Sequence, residues 1–264
     1  MAELPEADYA LLDREGATTT MFYPRPESFP PPEWAADHLI EVSDGVRLGA
    51  RFYIDDPGYP TVLYFHGNGE IASDHDDISR LYHEIGLNLF VVEFRGYGYS
   101  TGDPTLGAMI ADAHVAARHL LGLQGELGLS PRRFVMGRSL GAHAALELAG
   151  RASELFEGLI IESGAAGIRR TLERSGLLDT ELGGMLAAAH EAKVKSIRLP
   201  SLLIHGERDD LIPLERAAEL YDLLAETDRE LVTIPNAGHN DLLWVGRDRY
   251  FEAIAALVSR TGGQ

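Results

Sequence analysis

The stretch Phe134-Val135-Met136-Gly137-Arg138-Ser139-Leu140-Gly141-Ala142-His143-Ala144-Ala145-Leu146 reads as a strand, a tight turn and a helix with nothing between them. Three apolar residues in a row suit a strand buried on both faces. Ala142, Ala144 and Ala145 let the following helix pack closely on a sheet. A turn of this kind lifts the serine hydroxyl at its apex above the sheet edge, where it is open to attack other groups. Ser139 is therefore the candidate nucleophile.

Working outward, the same alternation recurs. Thr61–Phe65, Leu87–Phe94, Arg133–Met136, Leu159–Ile161, Ser201–Ile204 and Glu230–Ile234 are apolar runs expected as strands. Between them helical patterns are expected over Ile71–Ile85, Thr105–Leu123, Leu140–Gly150, Leu214–Ala225 and Arg249–Val258. A hairpin, His38–Val42 with Val46–Ile54, precedes them, turning at Ser43-Asp44-Gly45. Alternating β and α with antiparallel strands only at the start predicts an α/β fold, a doubly wound, mostly parallel mixed sheet.

The chain has 264 residues, enough for one α/β domain spanning 1–264. Residues 1–36 are Pro-rich and expected to lie over that domain as an extended arm. Residues 164–198 separate two strands by far more than an ordinary connection. Their helical pieces, Ile168–Ser175 and Glu181–Lys195, are expected to form a lid beyond the strand ends.

A second Gly-x-Ser-x-Gly match, Gly98-Tyr99-Ser100-Thr101-Gly102, lacks that setting. Ser100 sits about six residues past its strand, and Asp103-Pro104 delays the next helix, so it reads as a loop residue.

A serine hydroxyl needs a base within hydrogen-bond reach. Of ten histidines, His38, His75, His83, His114, His119 and His190 fall on strand or helix faces. His66 and His205 end strands, and His143 follows Ser139 by one turn. His239, in Pro235-Asn236-Ala237-Gly238-His239-Asn240, follows the last strand and is the candidate base. The orienting acid should follow an earlier strand. Asp209 fits, with Asp210 beside it and Glu162 at the end of the preceding strand as alternatives.

These pieces together resemble the α/β-hydrolase superfamily, in particular its small lidded serine hydrolases of the monoacylglycerol-lipase-like and protein-depalmitoylase-like kind. The matching residues are His66-Gly67-Asn68-Gly69, Phe94-Arg95-Gly96-Tyr97-Gly98-Tyr99-Ser100, the turn Gly137–Gly141, the segment Asp209–Pro213 and Gly238-His239. They span about residues 38–260 in family order. The resemblance implies the order Ser139, Asp209, His239 for the catalytic triad, and a structural role for the Arg-Gly-Tyr-Gly loop. It also implies an oxyanion hole from the backbone N–H of Leu140 and of a residue in the loop after the third strand, best matched by Asn68.

The implied activity is cleavage of a small-molecule acyl ester or thioester. An amide-cleaving, aminopeptidase-like relative and a non-catalytic receptor on the same fold are the alternatives. No dinucleotide fingerprint or phosphate-cradling loop is present in the sequence, so no cofactor is expected. Asp74-His75-Asp76-Asp77 could suggest a metal, but it follows Ser73 at a helix start, where carboxylates favour the positive end of the dipole. A net charge of −18 argues against nucleic acid as a partner. Cysteine is absent, the first residues lack the pattern of a secretion signal, and no apolar run is long enough to span a bilayer, so a cytoplasmic location is expected.

Overall fold

The computed structural model describes residues 5–262 apart from 44, 166, 226 and 227. Among the described residues, eight strands form one sheet: β1 (Ala35–Ser43), β2 (Val46–Tyr53), β3 (Thr61–Phe65), β4 (Asn88–Val92), β5 (Arg133–Arg138), β6 (Gly158–Glu162), β7 (Ser201–Gly206) and β8 (Arg229–Ile234). Their order across the sheet is β1-β2-β4-β3-β5-β6-β7-β8. β2 pairs antiparallel with β1 and β4, and the other neighbours pair parallel. This is the doubly wound mixed sheet expected from the sequence. The β1–β2 hairpin forms as well, although Asp44 of its turn lies outside the described residues.

The helices are α1 (Ala10–Arg14), α2 (Asp76–Glu84), α3 (Leu106–Leu127), α4 (Ala142–Arg151), α5 (Arg169–Arg174), α6 (Glu181–Ser196), α7 (Leu214–Leu223) and α8 (Leu242–Thr261). Continuous apolar runs are needed because successive strand residues face opposite sides of the sheet. Leu63, Phe65, Val135, Leu159 and Ile161 pack in one layer with residues of α3 and α4. Val62, Tyr64, Phe134, Met136 and Ile160 pack in the other with Tyr82 of α2 and Phe251 and Ile254 of α8. Each such side chain, once buried, contributes about 1.5–3 kcal/mol.

The strand order places the site. The chain leaves β3 toward β4 on one side and later returns to β5 on the other, so a crevice opens at the carboxyl ends of β3 and β5. Open α/β sheets present ligands with this crevice.

Two expectations need correcting. The N-terminal arm is not wholly extended: α1 buries Tyr9, Leu11 and Leu12, and Asp13 accepts hydrogen bonds from Leu106 N (3.0 Å) and Gly107 N (2.8 Å), capping α3. A helix of five residues is too short to announce itself by periodicity. The last helix begins at Leu242, well before Arg249, and carries a non-helical residue at Gly246 (φ −138°, ψ 39°). A Cβ at Gly246 would stand 2.3 Å from Ile234 Cγ2, so only glycine allows this approach to β8. Segment 164–198 also contributes to the core, where Ile168, Leu172, Leu186, Val194 and Ile197 join the layer that packs with α4. Among the described residues, no helix is long and apolar enough to cross a membrane.

Candidate active site

β5 delivers Ser139 to the carboxyl edge, and a 3₁₀ turn, Ser139–Gly141, leads directly into α4. Ser139 adopts φ +50°, a left-handed conformation that costs a non-glycine residue energy. The turn is this tight because Gly141 lies against β3: a Cβ there would stand 2.1 Å from the Phe65 carbonyl oxygen. The reading of Gly137–Gly141 as strand, turn and helix thus has a steric cause.

Asp209 follows β7 and His239 follows β8, so both reach the same edge. His239 Nε2 lies 3.0 Å from Ser139 Oγ, and His239 Nδ1 lies 2.7 Å from Asp209 Oδ2. The carboxylate fixes Nδ1 as the protonated nitrogen, leaving Nε2 to accept the serine proton. Asp209 is buried, and its other oxygen accepts from Leu211 N (3.0 Å) and Ile212 N (2.7 Å). The alternatives are bonded elsewhere or exposed. Glu162 accepts from Arg138 Nε (3.0 Å) and Tyr250 OH (2.7 Å), and Asp210 is exposed.

The loop after β3 is pinned by the side chain of Asn68. Its Oδ1 accepts from Tyr23 N (2.9 Å) and Tyr97 OH (2.6 Å), and its Nδ2 donates to Met21 O (2.8 Å). Its amide is therefore committed, and any part in an oxyanion hole falls to the backbone. The N–H of Gly67 is engaged with Glu70 Oε2 at 2.7 Å and that of Gly69 faces the Tyr97 hydroxyl, which leaves Asn68 as the candidate in that loop. Leu140, the other expected donor, is buried in the turn. His66 beneath the loop is buried, with Nδ1 donating to Gly67 O (2.7 Å), and burial lowers its pKa to about 4.

Ser100 accepts from Gly49 N (2.8 Å) and braces its loop on β2. The acidic cluster is tied to arginines: Asp74 pairs with Arg25 (2.8 Å) and accepts from Ile71 N (3.0 Å), while Asp76 pairs with Arg51 (2.9 Å) and accepts from Tyr53 OH (2.7 Å). Helix capping accounts for Asp74; at Asp76 the arginine is the stronger partner.

Two residues near Ser139, Asp209 and His239 escaped the sequence reading. His205 Nε2 donates to Ile212 O (2.7 Å) and lies 3.3 Å from Asp209 Oδ2, bracing the acid's loop. Its only sequence signal is the four-residue spacing to Asp209. Arg138 occupies the variable position before the serine. It donates from Nη2 to His239 O (2.9 Å) and Asn240 Oδ1 (2.8 Å) and pairs with Glu70 and Glu162. A pattern that permits any residue there carries no signal for it.

Residues 59–188 match a family model described as serine aminopeptidase, S33. An uncharacterized protein of Mycobacterium tuberculosis, Rv2307c, is 30% identical over 214 residues, covering 78% of this chain and 72% of its own. The chain belongs to the α/β-hydrolase superfamily. A further relative, the Arabidopsis thaliana alpha/beta hydrolase domain-containing protein WAV2, is 28% identical over 82% of this chain and 76% of its own. Among solved structures, the Pyrococcus furiosus esterase Pf2001 shares the hydrolase fold with a TM-score of 0.70 at 22% identity, covering 90% of this chain and 98% of its own.

Proposed function

We propose that this hydrolase cleaves carboxylic ester or thioester bonds of small acyl substrates through an acyl-enzyme on Ser139. The observation that carries the reading is the unbroken hydrogen-bonded line from Ser139 Oγ through His239 to the buried Asp209. In this mechanism Ser139 attacks the carbonyl while His239 takes its proton and returns it to the leaving group. Asp209 keeps the imidazole in the productive tautomer and stabilises the imidazolium. The N–H groups of Leu140 and Asn68 take the developing oxyanion. Water, activated by the same histidine, then frees the acyl group. Segment 164–198 acts as a lid whose exposed residues, Leu182 and Met185, meet the acyl chain.

The description of the matched family model favours a second reading, hydrolysis of an aminoacyl amide. The chemistry is shared, and only the leaving group differs. A panel of short- to long-chain nitrophenyl esters, an acyl-thioester and an aminoacyl amide separates the two by kcat/KM. A receptor on this fold would turn over none of them.

The central assignment is tested with a fluorophosphonate, which modifies only an activated serine. Mass spectrometry is expected to find the adduct on the peptide carrying Ser139. Ser139→Ala should lose labelling and nearly all turnover, since a triad knockout leaves only ~10³–10⁴-fold catalysis over water. Ser100→Ala should keep both within a few-fold. An adduct on Ser100, or full turnover by folded Ser139→Ala, contradicts the assignment.

A further inference from the structure

The loop Pro235–Asp241, between β8 and α8, presents His239. A cavity of ≈ 320 Å³ opens behind it, lined by Tyr64, Glu70, Arg138, Glu162, Asn240 and Trp244 among others. At Asn240 the loop borders this cavity, so its placement there depends on polar contacts, while a catalytic imidazole must be held to within a few tenths of an ångström.

We infer that Arg138 is a positioning residue for the catalytic histidine, tying the base to the same backbone unit that carries the nucleophile. The inference rests on the triad reading above. Three observations support it. Arg138 immediately precedes Ser139, so its position and the serine's are set by one covalent link. Its Nη2 donates to the backbone carbonyl of His239 itself (2.9 Å) and to Asn240 Oδ1 (2.8 Å), gripping two successive residues of the loop. Its remaining donors are anchored: Nε donates to Glu162 Oε1 (3.0 Å) at the end of β6, and Nη1 to Glu70 in the loop after β3.

The choice of arginine follows. Its planar fork serves four acceptors in one fixed geometry, which a lysine ammonium on a flexible stem cannot do. The side chain is only 11% exposed, and Glu162 is 5% exposed and further held by Tyr250 OH at 2.7 Å, so the anchor is not a solvated surface pair. One guanidinium thereby joins the loop after β3, the nucleophile turn, β6 and the histidine loop.

Arg138 grips the main chain of the residue that carries the base, so its loss should lower kcat with KM within about twofold. Arg138→Met should reduce kcat by about 10–100-fold, the scale expected when a reacting group is misplaced by about 1 Å. Should that variant prove unstable with two carboxylates left unpaired, Arg138→Lys carries the test, because it keeps a cation between them. The decisive readout is the same substitution in a His239→Ala background, measured on an activated ester. If Arg138 acts through His239, the residual rate should change less than about twofold there. A folded Arg138→Lys or Arg138→Met enzyme with kcat within twofold of wild type overturns the inference. So does an equal loss in both backgrounds, which would assign the effect to general disturbance of the turn. Wild-type protein that neither turns over esters nor labels at Ser139 would instead contradict the triad reading itself.

Discussion

Asp209 joins two tasks in one carboxylate: one oxygen holds the imidazole, and the other accepts two backbone N–H groups that fix its own loop. Asp209→Asn would offer an amide N–H to Nδ1 and impose the wrong tautomer, so kcat should fall by up to about 10⁴-fold. Asp210→Asn, at an exposed neighbour, should stay within a few-fold; steady-state kinetics on one ester compares the two. Glu93 is a different kind of carboxylate. It is 2% exposed at the end of β4 and accepts from Ala72 N and Tyr99 N, each at 3.1 Å. Burial raises its pKa from 4.5 to about 7. Between those values the folded state holds a proton that the unfolded chain has lost. Glu93 thus favours folding below its unfolded pKa, and that contribution disappears as pH rises through about 7. His66, lowered from 6.5 to about 4 by burial, acts oppositely: its contribution is present above 6.5 and lost as pH falls through about 4. The test is therefore the difference between wild type and Glu93→Gln in urea unfolding at about pH 5 and about pH 8. Relative to the variant, wild type should lose up to about 3 kcal/mol over that range. A constant difference contradicts the assignment.

At the scale of elements, the central parallel strands were legible because burial on both faces demands short apolar runs bounded by turn residues. Helix ends were less so. The start of α8 was hidden because Trp244 is 87% exposed and Gly246 breaks the helical geometry, so the first turns show no apolar stripe. In α6, Leu186, Ala189, His190, Lys193 and Val194 form a buried stripe, and Met185 faces away from it at 62% exposure. The two neighbours should therefore behave differently. Leu186→Ala, which removes core, should cost about 2–5 kcal/mol in chemical denaturation. Met185→Ala should leave stability within about 0.5 kcal/mol. It should also shift relative kcat/KM among acyl lengths, since a methylene in an apolar pocket is worth about 1–3 kcal/mol. An unchanged length profile for Met185→Ala counts against the lid.

At the scale of the whole molecule, a buried polar network joins the N-terminal segment, the helix behind the nucleophile and the insertion. Lys193 Nζ donates to Glu147 Oε2 (2.7 Å) and Tyr9 OH (2.5 Å), Glu147 Oε1 meets His114 (3.2 Å), and Tyr9 OH meets His190 Nδ1 (2.7 Å). Burial pushes the Glu147 carboxyl up, but His114 and Lys193 together hold it down at about 2, so it stays ionised. Lys193→Met alone should cost about 3–5 kcal/mol by stranding that carboxylate, whereas adding Glu147→Leu should restore much of the loss. Urea unfolding of the single and double variants measures this; a double variant no more stable than the single would show that the charge is not what matters. The sequence by itself determined the sheet and the strand–turn–helix at Ser139, because each is written in local terms: apolar runs and glycine spacing. Only the tertiary structure put Asp209 rather than Glu162 against His239, brought Arg138 to the carbonyl of His239, committed the Asn68 side chain to Tyr23 and Tyr97, and sank Lys193 against Glu147. Those contacts join residues far apart in the chain, and which of several polar groups meets a given partner depends on strand order and side-chain direction, which local periodicity does not encode.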